Sequence, residues 1–230
     1  MTDASATLSM LRLADSALPV GAYTASYGLE QFVAEDRVAD PADLRAVLET
    51  YLRQQVGPSD VVVLANAHRA ASEGDLEGVV AADERLTAVT LPAEFRDSST
   101  KAGGRLLDLD GSVRDDQVVA EYAERVEAGD APGNYVVALA VVAAGEGISA
   151  RDCALAHCHA FLTGMLGAAQ RLLSIGHTTT QEIRVDLQPV AESVVDDNLD
   201  RHLDDIEPFA PGIDLAGMAH ERADRRLFIS

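Results

Sequence analysis

The run from Tyr135 to Gly145 reads YVVALAVVAAG and is apolar on every side of a helix. A helix without a polar face belongs in the interior, so other elements must wrap it. The spacing predicts a central helix over these residues and constrains the rest of the chain to supply its cover.

Helical signals for that cover follow one another almost without interruption. Asp40-Pro41 opens a segment to about Val56, with Leu44, Val47, Leu48, Tyr51 and Leu52 at helical spacing. Asp40 is placed as its N-cap and Pro41 in its first turn. Gly57-Pro58 is expected to break the chain before a helix from Ser59 to Ala71. Gly74-Asp75 separates that helix from one over Leu76 to Val89. Leu91-Pro92 precedes a helix from Ala93 to Leu107, and residues 109–112 read as a turn. A helix over Asp115 to Glu127 and a Gly/Pro loop at 129–133 lead into the central helix. Ser149 caps a long helix reaching about Ile175. Another is expected from Thr180 to Asp204, with Pro189 kinking it or falling in its first turn. Pro208, Pro211 and Gly212 form a loop before a last helix from Asp214 to about Asp224. Hairpin signals, repeats and low-complexity tracts are missing. The expectation is an all-α protein, a single bundle-like domain of about ten helices over residues 1–230.

Composition narrows the partners. Aromatics are 4% of the chain and Trp is absent, so the core must be built from Ala, Val and Leu. The 38 acidic residues face 18 basic ones, and Lys101 is the single lysine among these, giving a net charge of −20. Such a charge repels nucleic acid and anionic membranes, and neither is expected as a partner. It also repels itself, unless salt at about 1 M shortens the Debye length to about 3 Å. Acid-rich, lysine-poor chains of this kind look like halophilic cytoplasmic proteins, and folding is expected to depend on salt. Cys153 and Cys158 lie about 140° apart around a helix and cannot bridge, which suits reduced thiols in the cytosol. The start MTDASATL carries no signal-peptide pattern. The longest uncharged stretch, Cys153 to Gln170, contains two His, a Thr and a Gln, and reads as a buried helix rather than a membrane span.

No phosphate loop, GxSxG, HExxH or CxxC occurs. One metal-like cluster exists: Cys153, His157, Cys158 and His159, with Cys153 and His157 on one helical face. Thiolate and imidazole suit Ni²⁺ or Zn²⁺, which leaves a metal-dependent enzyme or nickel-binding module as the alternative reading. Two ligands on one helix cannot close a site, however, and core packing explains them without a metal. No cofactor is expected.

Four other stretches carry more. DSALPVGAYTASYGLE (15–30) combines Pro19, Gly21 and Gly28 with Tyr23, Ser26 and Tyr27, and reads as a shaped loop. EFRDSSTKAGGRLL (94–107) pairs two glycines inside a helical pattern, costing about 1 kcal/mol each unless something packs close. GAAQRLLSIGHTTTQ (167–181) sets Arg171 at a helix end, where the macrodipole favours it. In DLAGMAHERADRRLFIS (214–230), Leu215, Met218, Ala219 and Arg222 share a face. Arg225, Arg226 and Phe228 then make a basic and aromatic tail, either a docking segment or a solvated charge run.

Together the LRLADSALPVGAYTASYGLE, RDSSTKAGGRLL, AAQRLLSIGHTTTQ and IDLAGMAHERADRRLFIS stretches resemble, in order and spacing, the signatures of the urease accessory protein UreF family. The resemblance implies an all-helical homodimer in the cytoplasm that is not an enzyme. It implies a chaperone that binds UreD (UreH) and recruits the GTPase UreG to apo-urease for nickel insertion. The partner-binding residues it points to are Tyr23, Ser26, Tyr27 and Glu30 near one end, and His220, Glu221, Arg225, Arg226 and Phe228 near the other. Ala25 and the Ala223-Asp224-Arg225 sequence depart from the family pattern.

Overall fold

The computed structural model describes residues 4–21 and 26–222. They are all-α, with no strand among them. The order is α1 (Ala4–Leu13), α2 (Leu29–Ala34), α3 (Pro41–Tyr51), a π-helical segment (Leu52–Val61), α4 (Val62–Glu73), α5 (Leu76–Val89), α6 (Ala93–Val113), α7 (Gln117–Ala128), α8 (Tyr135–Gly145), α9 (Ala150–Leu172), α10 (His177–Asn198), a 3₁₀ turn (Leu203–Asp205) and α11 (Pro211–His220). Because α3, the π segment and α4 run on as one rod, the described residues form ten helical rods.

Helix α8 is the axle. Every residue from Val136 to Ala143 is buried, and α4, α6, α7 and α9 pack around it. The predicted caps are in place. Asp40 Oδ1 accepts from the N–H groups of Ala42 (2.8 Å) and Asp43 (2.9 Å), and Ser149 Oγ accepts from Asp152 N at 3.1 Å. Asp75 and Asp116 cap α5 and α7 in the same way.

The expected break at Gly57-Pro58 does not occur. The backbone widens there into the π segment, which takes proline without ending the rod. Pro58 cannot donate, and the carbonyl of Gln54 is filled from outside by Phe209 N at 3.0 Å. Glu207 N likewise donates to Pro58 O at 3.3 Å. Gly57 lets this segment lie on α10: a Cβ there would stand 2.6 Å from Val194 Cγ1.

Other boundaries also move. Helix α6 continues through residues 109–112 to Val113, because buried Leu106, Leu107 and Asp110 keep its inner face in the core. Helix α10 starts at His177 and carries exposed Pro189 in mid-helix, ending at Asn198 rather than Asp204. Helix α11 starts at Pro211, a position suited to proline, and stops at His220; residues 223–224 of the expected helix lie outside the described residues. Helix α2 had no counterpart in the periodicity because it has only six residues.

Two glycine-dependent joints hold the bundle. Asp83, fully buried, accepts from Tyr122 OH (2.6 Å), Gly133 N (2.6 Å), Asn134 N (3.0 Å) and Asn134 Nδ2 (2.7 Å), tying α5 and α7 to the turn before α8. The start of α8 rests on α6: Ser99 Oγ accepts from Tyr135 N at 3.2 Å, and a Cβ on Gly103 would lie 2.1 Å from Gly133 O. The RDSSTKAGGRLL stretch is thus a structural seat, with Arg96 bracing the α5–α6 turn through the carbonyls of Thr90 (2.6 Å) and Leu91 (2.7 Å). The AAQRLLSIGHTTTQ stretch is the α9–α10 corner, where Gln170 Nε2 lies 2.8 Å from His177 Nδ1 and Arg171 sits in the last turn of α9.

Candidate functional site: a seam between the two ends of the chain

The two terminal signatures meet. Helix α11 packs on α2 and on the first turns of α6. The contact is close because both sides carry glycine where the backbones cross. Gly28 has φ +80°, and a Cβ on it would stand 3.1 Å from both Ala216 Cβ and Gly217 N. On the other face of α11, a Cβ on Gly217 would stand 2.7 Å from Phe95 Cζ and 3.0 Å from Pro92 Cγ. Adding side chains at these two points would force α11 away.

Tyr27 precedes Gly28 with φ +45°, a backbone region a bulky residue rarely adopts. Strain of this kind persists only where surroundings over-determine it. Here Tyr51 OH donates to the Tyr27 carbonyl, and the Tyr27 ring lies 5.3 Å edge-on to Phe95 and 5.7 Å from Phe161. Burial, with Asp60 nearby, pushes the Tyr27 phenol up to about 12. Ser26 beside it is fully buried, and its Oγ has no hydrogen-bond partner among the described residues.

His220 closes the seam. Its side chain is 1% exposed, with Nε2 3.1 Å from Glu30 Oε2 on α2 and Nδ1 3.0 Å from Glu94 Oε2 on α6. A neutral imidazole has one N–H and can donate to one carboxylate; only the doubly protonated ring donates to both. Glu221 adds a cap in trans. Helix α6 begins after Pro92, which has no side chain to cap it, and Glu94 N donates to Glu221 Oε1 at 3.1 Å. A carboxylate there also faces the positive end of the α6 dipole.

Of the nine partner-binding candidates, the structure brings together Ser26, Tyr27, Glu30, His220 and Glu221. Ser26 and His220 are interior, and the other three half-buried. Tyr23, Arg225, Arg226 and Phe228 lie outside the described residues. Sequence reasoning missed Glu94, Phe95 and Gly217. The signal available for Gly217 was a glycine in the middle of an otherwise favourable helix. Of the four residues expected to share a face, α11 carries Leu215, 64% exposed, with half-buried Met218 and Ala219, and exposed Arg222 follows in the turn after its end.

The Cys153–His159 cluster does not converge. Cys153 Sγ points to the Leu139 carbonyl at 3.9 Å, His157 Nε2 lies 3.0 Å from Asp60 Oδ2, and His159 is exposed. Burial pushes both thiols up to about 12, away from thiolate. Among the described residues no three His, Cys, Asp or Glu side chains group as a metal site, and no helix is long and apolar enough to cross a membrane.

Comparisons with known proteins place the chain in a family. The model of the protein family UreF matches residues 38–188. The chain is 32% identical over 227 residues to the urease accessory protein UreF of Trichodesmium erythraeum, covering 99% of this chain and 98% of that one. It is 30% identical to the UreF of Yersinia enterocolitica, over 98% and 99% of the two chains, and 29% identical to UreF 1 of Brucella melitensis, over 97% and 92%. The match over both ends and the middle covers the joints described above, and the chain belongs to the UreF family of urease accessory proteins.

Proposed function

We propose that this protein is a non-catalytic chaperone of urease maturation, which binds a UreD (UreH) partner and recruits the GTPase UreG to apo-urease for nickel insertion. In this reading it works as a homodimer in the cytoplasm, and nickel is cargo of the assembly. The observation that carries the reading is the α2–α6–α11 seam. It packs Gly28 and Glu30 of the N-terminal signature against Ala216, Gly217 and His220 of the C-terminal one, and it leaves Leu215, Met218 and Ala219 on the outer side of α11, with exposed Arg222 just past its end. Tyr23, Arg225, Arg226 and Phe228 then act as direct contacts. Ser26, Tyr27, Glu30, His220 and Glu221 act by holding the platform from which those contacts project. At a net charge of −20, docking to similarly acidic partners rests on apolar contact and specific pairs rather than steering.

The test is a pull-down against the UreD and UreG homologues at high salt. Arg226→Ala should abolish UreG recruitment while leaving the far-ultraviolet circular dichroism unchanged. Undiminished urease activation in cells lacking this protein would refute the reading.

A further inference from the structure

Half of the aromatic side chains in this aromatic-poor chain wall one cavity. The sequence holds five Tyr and five Phe, and Tyr27, Tyr51, Phe95, Tyr135 and Phe161 surround an internal space of about 80 Å³. An aromatic cluster alone is ordinary core. The polar groups facing this one are not. The π-helical segment contributes Gln55 and Asp60, and α9 contributes His157, 7% exposed.

His157 Nε2 lies 3.0 Å from the Asp60 carboxylate, and a neutral ring that donates there has Nδ1 as a lone-pair acceptor. No protein group among the described residues donates to His157 Nδ1 or to the buried Oε1 of Gln55. A buried acceptor without a donor is costly, so both call for one from a ligand or water. Asp60 adds negative potential, which with burial raises the Tyr27 phenol and the Cys158 thiol.

Aromatic faces, unfilled acceptors and a nearby carboxylate are the combination that recognises an ammonium group, through its N–H donors and its charge against the ring quadrupoles. A transition metal would need four or more N, S or O ligands. Besides neutral hydroxyls, which are poor metal ligands, the cavity offers one imidazole nitrogen and one amide oxygen, since Asp60 is engaged by His157 and the thiols are turned away or protonated. We propose that this cavity binds a small ammonium cation, ammonium itself or methylammonium in size. Two further cavities with shared lining residues lie between it and the surface. A second cavity of about 70 Å³ shares Tyr27, Tyr135 and His157 and extends past Ala160 and Gly164. A third, of about 50 Å³, continues from those two residues to exposed Asp15 and Ser16.

The test is a titration of the full-length protein with methylammonium chloride, exchanged for sodium chloride at constant ionic strength. It is followed by the ring ¹⁵N resonances of His157. The expected result is a saturable shift centred on Nδ1, reproduced by ammonium and not by potassium. Gln55→Leu, which removes one acceptor, should weaken binding about tenfold, and Phe161→Leu, which removes one wall, should weaken it as well. If a variant fails to fold, the wild-type titration still decides. No shift, or a linear one, would mean the cavity holds only water and would overturn the proposal. An equal response to potassium would overturn ammonium selectivity, and selective broadening of His157 by one equivalent of Ni²⁺ would reassign the cavity to a metal.

Discussion

Gly103 and Gly104 are neighbours in one helix, and the structure predicts opposite signs for the same substitution. A Cβ on Gly103 would meet Gly133 O at 2.1 Å, Asn134 C at 2.8 Å and Tyr135 N at 2.9 Å, all backbone of the turn that starts α8. Backbone cannot swing aside as a flexible side chain does, and this turn is held further by the buried Asp83 carboxylate. Overpacking of this severity costs about 3 kcal/mol, against about 1 kcal/mol gained in helix propensity. Gly103→Ala should therefore destabilise by about 2 kcal/mol, lowering Tm by about 4–8 °C for a chain of this size. Gly104 has nothing within 4 Å of a built Cβ. Gly104→Ala should keep the propensity gain alone, about 1 kcal/mol, and raise Tm by about 2–4 °C. Thermal unfolding of both variants at one fixed high salt concentration measures the pair. Equal signs, or a neutral Gly103→Ala, would refute the close seating of α8 on α6.

Tyr122→Phe removes one of the donors to fully buried Asp83 and should cost about 1–3 kcal/mol in urea denaturation, with the cavity left unfilled. Asp110 is buried beside Glu146, and burial first, then that like charge, raises its carboxyl above the ordinary 3.8. A raised carboxyl favours the neutral form in the fold, so ionising it costs stability once pH climbs past the ordinary value. Asp110→Asn should therefore show a Tm advantage over wild type that is small at low pH and grows as pH rises toward 7; a constant difference would contradict the assignment. Lowering salt from about 1 M should reduce helicity by circular dichroism, because screening of the −20 charge is lost. Full, stable helicity at low ionic strength would remove the case for salt-dependent folding.

The helices were legible where burial and capping spoke together. The all-round apolar run of α8 fixed both its ends, and the caps Asp40 and Ser149 fixed the starts of α3 and α9. Gly57-Pro58 misled because the rod is held there from the far end of the chain, by Phe209 N on the Gln54 carbonyl and Glu207 N on the Pro58 carbonyl, which no local window can see. The turn read into residues 109–112 failed for a related reason: tertiary burial of Leu106, Leu107 and Asp110 outweighed the weak helix propensity of Asp110, Gly111 and Ser112. At the seam, His220 and Glu30 were legible as signature residues, but their partner Glu94 was not. The pairing joins positions 126 and 190 residues apart in sequence, and only the Gly28 and Gly217 close approach places them together.

That distance also decides how substitutions near the two ends must be interpreted. A residue such as Arg226, if it touches a partner directly, can be lost without disturbing the fold. His220 cannot, because its buried ring hydrogen-bonds both Glu30 and Glu94, and losing a buried hydrogen-bonding group costs about 1–3 kcal/mol. A partner-binding defect in His220→Ala would follow from release of α11 alone, with Glu221 drawn off the α6 N-terminus as well. Loss of binding is therefore informative about contact only when the seam is intact. The clean comparison holds His220, Glu30 and Glu94 constant and varies the outer face of α11. Leu215→Asp places a charge on a 64% exposed position, leaves the inner face of the helix untouched and should weaken partner binding at unchanged Tm. If it instead lowers Tm as His220→Ala does, Leu215 is packed rather than presented, and α11 has no free face to offer.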